Sequence, residues 1–252
     1  ILFFSFRNFL LNIGINLLLV KVLLDLGSIL WAYIWLIVLL PIVLIGRNYN
    51  WLISAAKFTI ENISKIVDSR NPYASNHSLI VAEVCRDLAI KLKLDYEEIT
   101  KIYHAAKIMN LGYISIPEYI FSKNTPLSEN EKELIHKHPV VAANILMKLN
   151  SYSEVALIVK HHHENWDGSG YPDKLKADTI PLGSRIIRIC DVFIALISDR
   201  AYRKAYSIEQ AVDIMKQNQH QFDPRILPVF WELINEKKEI YLKLLGKDKE
   251  NE

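Results

Sequence analysis

Cysteine is scarce in this chain of 252 residues, which contains only Cys85 and Cys190. The two lie far apart and in none of the spacings that cysteine-based zinc sites use, so the sequence excludes a zinc site of that kind. Both stand among apolar neighbours, and we expect buried, reduced thiols rather than a disulfide. A large excess of charge is also lacking. The net charge is +2, which predicts no general attraction to nucleic acid.

Charged residues are nearly absent from the first 46 positions. Ile29–Ile45 is an uncharged apolar run, near the short end of what a membrane-spanning helix needs. Phe9–Leu24 is a second and weaker candidate, because polar residues interrupt it. The two runs together predict a transmembrane helical hairpin. The charged residues of this region are Arg7, Lys21 and Asp25.

The predicted hairpin turns around Asp25–Ser28. Arg7 and Arg47 then lie on one side of the membrane, and basic residues favour the cytoplasmic side, so the rest of the chain is expected in the cytoplasm. A hairpin buried in a protein core is the alternative. The chain begins at Ile1 rather than Met, so we expect that further sequence precedes it.

Residues 47–70 are predicted to form a linker helix. Apolar residues recur at helical spacing from Leu52 to Val67, polar residues fill the opposite face, and Pro72 disfavours helix in the residue before it. Two interpretations stay open. The helix either packs against the domain that follows, or it is a signalling stalk that pairs with its copy in a homodimer.

Alternating patterns long enough to predict a β-strand are absent downstream of the linker, and helical periodicity recurs instead. Ser128 with Glu131, and Ser207 with Gln210, have the spacing of a capping box, which is typical of a helix start. The fold class is therefore predicted to be all-α.

His162 and His163 stand at the end of a predicted helix and run into the glycine-containing stretch Glu164–Pro172. Adjacent residues on a helix point about 100° apart, so two neighbouring imidazoles suit a metal centre at the helix end. A solvated run of histidines is the alternative. His136 is expected at the surface, and His161 is expected to be a helix-end group.

The segment from His162 to Pro172 resembles the hallmark of the HD-GYP family: HHE, then WDGSGYP after one residue. Other parts of the family's pattern follow in the same order, and the resemblance covers roughly two thirds of the chain. The matching segments are Asn71–Tyr73, His77–Ser78, His136–Pro139, Ile180–Asp191, Asp199–Ala205 and Phe222–Pro224.

The resemblance implies an HD-type helical bundle around two or three metal ions, commonly iron or manganese. In this family a metal-bridging hydroxide attacks a phosphodiester of cyclic di-GMP and releases linear pGpG or GMP. Paired metals suit the reaction because they lower the pKa of water and neutralise charge on the phosphoryl oxygens. The residues that match the family's metal ligands are His77, His138, His162, His163 and Asp191.

The resemblance also implies substrate contacts. Arg200 and Arg203 match the family's phosphate-contacting cations, and a guanidinium suits bidentate binding of phosphate. Tyr171 lies in the Gly-Tyr-Pro turn, which serves the family as a recognition surface, including for diguanylate cyclase domains. Ordinary turn formation is the alternative role for Tyr171.

The sequence departs from the family at the His-Asp pair, where it has Met109 and Asn110. The family's aspartate bridges both metals, but Asn110 lacks that charge, and the Met109 thioether is a poor ligand for hard cations. Tyr113 replaces a lysine, and Ile194 replaces a second aspartate. We therefore expect a degenerate member that holds at most one divalent ion, at a three-histidine site.

Taken together, these observations predict a membrane segment at 1–46, a linker helix at 47–70, an HD-GYP domain at 71–240 and a charged tail at 241–252. The expected role is in bacterial cyclic di-GMP signalling at the inner membrane, through ligand binding or regulation with little or no hydrolysis. An active phosphodiesterase with a reduced metal site and a non-catalytic dimerisation module are the alternatives. The expected partners are a cyclic dinucleotide, a diguanylate cyclase domain and a second copy of the chain.

Overall fold

The computed structural model describes residues 2–70, 76–121, 123, 125–199 and 203–245. These residues form helices and no β-strand element, which confirms the predicted all-α class. Four short 3-10 helices, Met109–Ser115, Asn150–Tyr152, Ala177–Thr179 and Gln219–Gln221, join the α-helices in the described part. The α-helices are α1 (Leu2–Ser69), α2 (His77–Lys91), α3 (Tyr96–Ile108), α4 (Glu118–Phe121), α5 (Glu129–His136), α6 (His138–Leu146), α7 (Ser153–Lys160), α8 (Leu182–Leu196), α9 (Ile208–Gln217) and α10 (Leu227–Leu244).

Helix α1 is continuous through residues 25–28, so the predicted hairpin is not confirmed. Gly27 costs a helix only about 1 kcal/mol relative to alanine, which is too little to force a turn. The Ser28 hydroxyl donates to the Asp25 carbonyl at 2.7 Å, a bond compatible with helix. Among the described residues, one helical stretch, Leu11–Ser69, is long and apolar enough to cross a membrane by length and composition.

The chain divides into two compact units, residues 1–56 and residues 57–252. The second unit begins within α1, where Ile60, Ser64 and Val67 are buried. The Ser64 hydroxyl donates to the Lys107 carbonyl in α3 at 3.1 Å. These contacts favour the packing interpretation for the end of the linker helix. The compact unit thus starts earlier than the predicted domain boundary at residue 71.

The core of the second unit is formed by α2, α3 and α8, with α7 packed on α3 and α10 packed on α2. Phe193 of α8 and Phe230 of α10 meet edge to face, with ring centroids 5.3 Å apart. Cys85 and Cys190 are free thiols buried in this core, as the sequence predicts.

Both predicted capping boxes are present. Ser128 and Glu131 begin α5 in this way, and Ser207 and Gln210 begin α9. The first box bears on the site, because Lys137 alone separates the end of α5 from the start of α6.

Candidate metal centre

Three histidines from two separate segments of the sequence meet in the second unit. His138 opens α6, and His162 and His163 come after His161, the residue that follows the end of α7. Their ligand nitrogens all lie within 4.8 Å of one another. Within the described residues this is the one cluster of three or more histidine, cysteine or carboxylate groups close enough to share a metal ion.

Backbone carbonyls orient two of the three rings. The Nδ1 atom of His138 lies 2.7 Å from the Ile135 carbonyl, and that of His162 lies 2.6 Å from the Val159 carbonyl. Since a carbonyl only accepts, Nδ1 carries the proton and Nε2 keeps its lone pair. Both Nε2 atoms are buried and have no hydrogen-bond partner among the described residues. Histidines that ligate metals are oriented in this way.

Burial keeps the cluster uncharged. It lowers the pKa of His138 to about 3 and also lowers the pKa values of His162 and His163, because desolvation disfavours the imidazolium form. Neutral imidazole is the form that binds a metal, so the three rings are ready to act as ligands near neutral pH.

Close packing fixes the position of His138. A Cβ atom added to Gly112 would lie 1.9 Å from the His138 carbonyl oxygen, so only glycine fits where the 3-10 segment Met109–Ser115 crosses α6. The Tyr113 ring lies against the His138 ring at a centroid distance of 4.3 Å. Tyr113, which replaces the family's lysine, therefore contacts a predicted ligand.

His77 and Asp191, the remaining predicted ligands, are bonded to each other. His77 Nε2 lies 2.8 Å from Asp191 Oδ1. Burial opposes the charge on Asp191, but the hydrogen bond from His77 and the nearby His163 and His162 hold the pKa of this carboxyl well below its usual value. Asp191 therefore stays ionised beside the histidine cluster.

Three of the residues that are predicted to depart from the family's pattern, Met109, Asn110 and Ile194, are buried. Asn110 donates from Nδ2 to the Ser78 hydroxyl at 3.1 Å, and Met109 and Ile194 belong to the apolar core. The three-histidine donor set fits one divalent cation. His77 and Asp191, which bond to each other, are not part of this cluster.

Glu164 anchors the loop that follows the histidines. Its two carboxylate oxygens accept from the Asp173 amide at 2.7 Å and from the Leu175 amide at 3.1 Å. Gly170 packs so closely that a Cβ there would lie 2.3 Å from the Asn165 amide nitrogen. These contacts give the motif's glutamate and one of its glycines a structural role, which is to hold Tyr171 beside the site.

Tyr171 forms a stack of rings with two histidines. Its ring centroid lies 4.1 Å from that of His136 and 4.9 Å from that of His163. His136 is exposed, as predicted, but the sequence gives no signal of the stacking. Burial raises the pKa of Tyr171, so its hydroxyl stays protonated.

Trp166 of the same loop lies between two arginines. The guanidinium carbons of Arg185 and Arg225 are 5.7 Å and 5.1 Å from its ring centroid. Buried Asp223 accepts from both arginines, at 2.6 Å and 2.9 Å. Asp223, in the segment Phe222–Pro224 that matches the family, thus holds the two arginines that contact the Trp166 ring of this loop.

Arg203 already has several partners. Its guanidinium donates to the carbonyls of Ala195 at 2.9 Å and Leu196 at 3.0 Å, at the end of α8, and it lies over the Tyr206 ring at 4.2 Å. Arg200 lies outside the described residues.

Asp68 is a buried carboxylate that sequence reasoning missed. It lies near the end of α1 and is 7% exposed, and its Oδ1 atom has no hydrogen-bond partner within the described segments. It lines a cavity of about 90 Å³ together with Ser78, the hydroxyl acceptor for Asn110. No distinctive pattern in the sequence separates Asp68 from a solvated helix residue.

Residues 61–226 match the HD domain family. The chain belongs to the HD domain family. All of the matched residues lie in the second compact unit, which also holds all the predicted metal ligands.

Similar proteins include enzymes that act on cyclic dinucleotides. The cyclic di-GMP phosphodiesterase response regulator RpfG of Xanthomonas campestris pv. campestris is 35% identical over 66% of this chain and 45% of its own length. The 3'3'-cGAMP-specific phosphodiesterase 3 of Vibrio cholerae is 33% identical over 68% of this chain and 37% of its own length. The HD domain chain thus matches less than half of each relative.

A solved structure confirms the fold. The crystal structure of the cyclic GMP-AMP-specific phosphodiesterase V-cGAP3 of Vibrio cholerae aligns with a TM-score of 0.55 at 19% identity, over 74% of this chain and 50% of that chain. At this identity the likeness concerns the HD fold alone.

Proposed function

We propose that this HD domain protein is a membrane-anchored receptor or regulator that binds a cyclic dinucleotide at a three-histidine metal site and hydrolyses it weakly or not at all. Cyclic di-GMP is the first ligand to test, and 3'3'-cGAMP is the second, because similar proteins carry those names. The apolar part of α1 is compatible with the anchor.

The observation that carries the proposal is a cluster of three histidine ligands beside a position, Asn110, that lacks the carboxylate needed to bridge two metal ions. His138 and His162 aim partnerless Nε2 atoms into the cluster, whereas Asn110 offers a neutral amide bonded to Ser78. Two divalent cations held a few ångströms apart repel each other unless an anion lies between them. The site therefore supports one ion and not a pair.

Each side chain has a definable task at such a site. The Ile135 and Val159 carbonyls hold the His138 and His162 rings in the ligating tautomer. Asp191 stays ionised through its bond to His77. A divalent ion bound by the three histidines would polarise a phosphoryl oxygen and acidify a nearby water.

A working phosphodiesterase with one metal ion is the second candidate. The neutral three-histidine set supports it, since such sets also hold catalytic zinc with an open position for water. It differs from the first candidate in turnover, not in binding.

The test uses the full chain in detergent micelles. Metal content is measured by plasma mass spectrometry, binding of cyclic di-GMP and 3'3'-cGAMP by calorimetry, and turnover by chromatography. We expect about one ion per chain, measurable binding, and turnover lower by about 10²-fold or more than in relatives with a His-Asp pair. Two ions per chain contradict the proposal. Turnover at one ion per chain that disappears in His162→Ala supports the second candidate. A chain with neither metal nor ligand is a structural module, such as one for dimerisation.

The proposed role in cyclic dinucleotide signalling also suggests protein partners. We propose a diguanylate cyclase domain as the partner of the loop that carries Tyr171, and a second copy of the chain as the partner of the linker helix. Co-purification of each with the full chain, and its loss when the loop or the helix face is altered, tests these two proposals.

A further inference from the structure

Arg188 lies beside the histidine cluster but belongs to none of the contacts described so far. It stands on α8 one turn before Asp191, so the two side chains share a face of the helix. Its Nε atom donates to Asn165 Oδ1 at 2.8 Å, and Asn165 is two residues past His163. The guanidinium is therefore held between the helix of Asp191 and the loop of the histidines.

The charge of Arg188 is not neutralised by direct contact. In the described part of the chain, no carboxylate lies within ion-pair distance of it, whereas Arg185 on the same helix contacts Asp178 at 3.2 Å and Asp223 at 2.6 Å. Asp191 is the nearby carboxylate, but its Oδ1 is bonded to His77. A partly buried cation without a paired anion is costly.

The bond to Asn165 places the guanidinium next to the histidine segment, because Asn165 is two residues past His163. On its own helix, Arg188 lies one turn from Asp191, which is bonded to His77. The geometry thus brings a cation that lacks an ion-pair partner among the described residues next to the segment that carries two of the three clustered histidines.

A short chain of hydrogen bonds orients the guanidinium. Asn165 accepts from Arg188 and donates from Nδ2 to the Ser169 hydroxyl at 2.9 Å, and that hydroxyl donates to Asp167 Oδ1 at 2.6 Å. Because Nε already donates to Asn165, the two Nη groups are the donors that remain for a ligand. A guanidinium presented in this way suits two oxygens of a phosphate.

We propose that Arg188 is the phosphate-binding cation of this site and that it provides part of the positive charge that a second metal ion provides in two-metal phosphodiesterases. The ligand class is a phosphodiester or phosphate anion. Where the ligand is a cyclic dinucleotide, the inference rests on the function proposed above. Arg203, the cation that the sequence predicts, already donates to the Ala195 and Leu196 carbonyls, so Arg188 has more donors available.

The test compares Arg188→Gln and Arg188→Lys with a matched control in the full chain. The control is Arg86→Gln, which removes the same charge from a residue that pairs with Glu83 and lies over the Tyr103 ring. Binding of inorganic phosphate and of cyclic di-GMP is measured by calorimetry, with metal content and melting temperature measured on each variant.

We expect Arg188→Gln to weaken binding of both probes by about 10- to 100-fold. Arg188→Lys should weaken binding less than Arg188→Gln does, because lysine keeps the positive charge but lacks the paired donors of the guanidinium. Metal content should not change, and Arg86→Gln should bind both probes like the unaltered chain.

Four outcomes separate this inference from the proposed function. Binding of both probes by Arg188→Gln at unaltered strength overturns the inference and leaves the proposed function standing. A fall in metal content together with binding, without rescue by lysine, also overturns it, since the residue would then be structural. Arg188-dependent binding of phosphate without binding of any cyclic dinucleotide supports the inference and contradicts the proposed function. An unaltered chain that binds neither probe overturns both.

Discussion

Gly112 lies directly against the backbone of His138, where a Cβ atom would come within 1.9 Å of the carbonyl oxygen and 2.9 Å of the Cα atom. Both contacts are with backbone, so no side chain can rotate to relieve them. The position of one predicted metal ligand thus depends on the absence of a side chain on another segment.

We predict that Gly112→Ala destabilises the protein by about 1–3 kcal/mol, the usual cost of overpacking, and lowers metal affinity by displacing His138. Thermal unfolding and metal titration measure the two effects. Gly27→Ala is the matched control, because Gly27 is helical with nothing within 4 Å of the added Cβ. Unfolding and metal binding of Gly112→Ala identical to those of the control variant would show that the segment can shift freely.

Adjacent histidines should differ sharply in their effect on metal binding. His162 leaves Nε2 without a partner, whereas His161 uses Nδ1 toward the Leu157 carbonyl and Nε2 toward Asp173. We predict that His162→Ala loses the bound ion and that His161→Ala retains about one ion per chain. Plasma mass spectrometry after dialysis measures this. Equal metal content in the two variants contradicts the assignment of the cluster.

Restoring the family's pair should add a metal ion. The double variant Met109→His, Asn110→Asp supplies an imidazole and a carboxylate next to Ser78, and the carboxylate can lie between two cations. We predict a gain of about one ion per chain over the unaltered protein, while Met109→His alone gains none. Metal content is the deciding measurement. If the double variant takes up no extra ion, this turn does not align with the family's His-Asp pair.

The metal-free protein should lose stability as the pH falls below neutral. Burial lowers the pKa of His138 to about 3 in the folded state, and the unfolded chain titrates near 6.5, so below that pH the unfolded state takes up protons first. Stability is fully present above pH 6.5 and is lost progressively toward pH 3. One such histidine accounts for ~2 kcal/mol between pH 6.5 and 5.

Melting temperatures in the presence of a chelator measure this dependence. His138→Gln should flatten the pH profile, while His220→Gln, at an exposed position, should leave it unchanged. A profile that is equally steep in His138→Gln would assign the acid sensitivity to other groups.

Local patterns predicted much of the fold. The boxes Ser128–Glu131 and Ser207–Gln210 begin helices as expected, since a cap depends on residues three apart. The predicted hairpin was not confirmed, because Gly27 and Ser28 are weak helix breakers and hydropathy alone does not distinguish one long helix from two shorter ones. Residues 57–69 belong to the second unit, and their packing depends on partners such as Lys107 that lie far along the chain.

In the candidate site, too, local patterns are predictable from the sequence and contacts between distant segments are not. His162 and His163 are found from adjacency and from the turn that follows them, and the structure brings His138 to them. The stacking of His136 on Tyr171 and the bond from Arg188 to Asn165 join segments that are far apart in sequence, so no short pattern reveals them. Arg188 is one more basic residue on a helix until the structure shows that no carboxylate among the described residues lies within ion-pair distance of it.

The three rings that face one another at His138, His162 and His163 contribute no formal charge. A divalent ion seated among them would therefore keep its +2 apart from the effect of ionised Asp191, which neighbouring Arg188 offsets. Such a centre attracts small counter-ions such as sulfate, carbonate and phosphate from the medium, and it holds a doubly charged phosphomonoester more firmly than a singly charged diester. If the protein has the proposed function, buffer composition would set the apparent affinity for a cyclic dinucleotide, and a cleaved product would leave more slowly than the uncleaved ring.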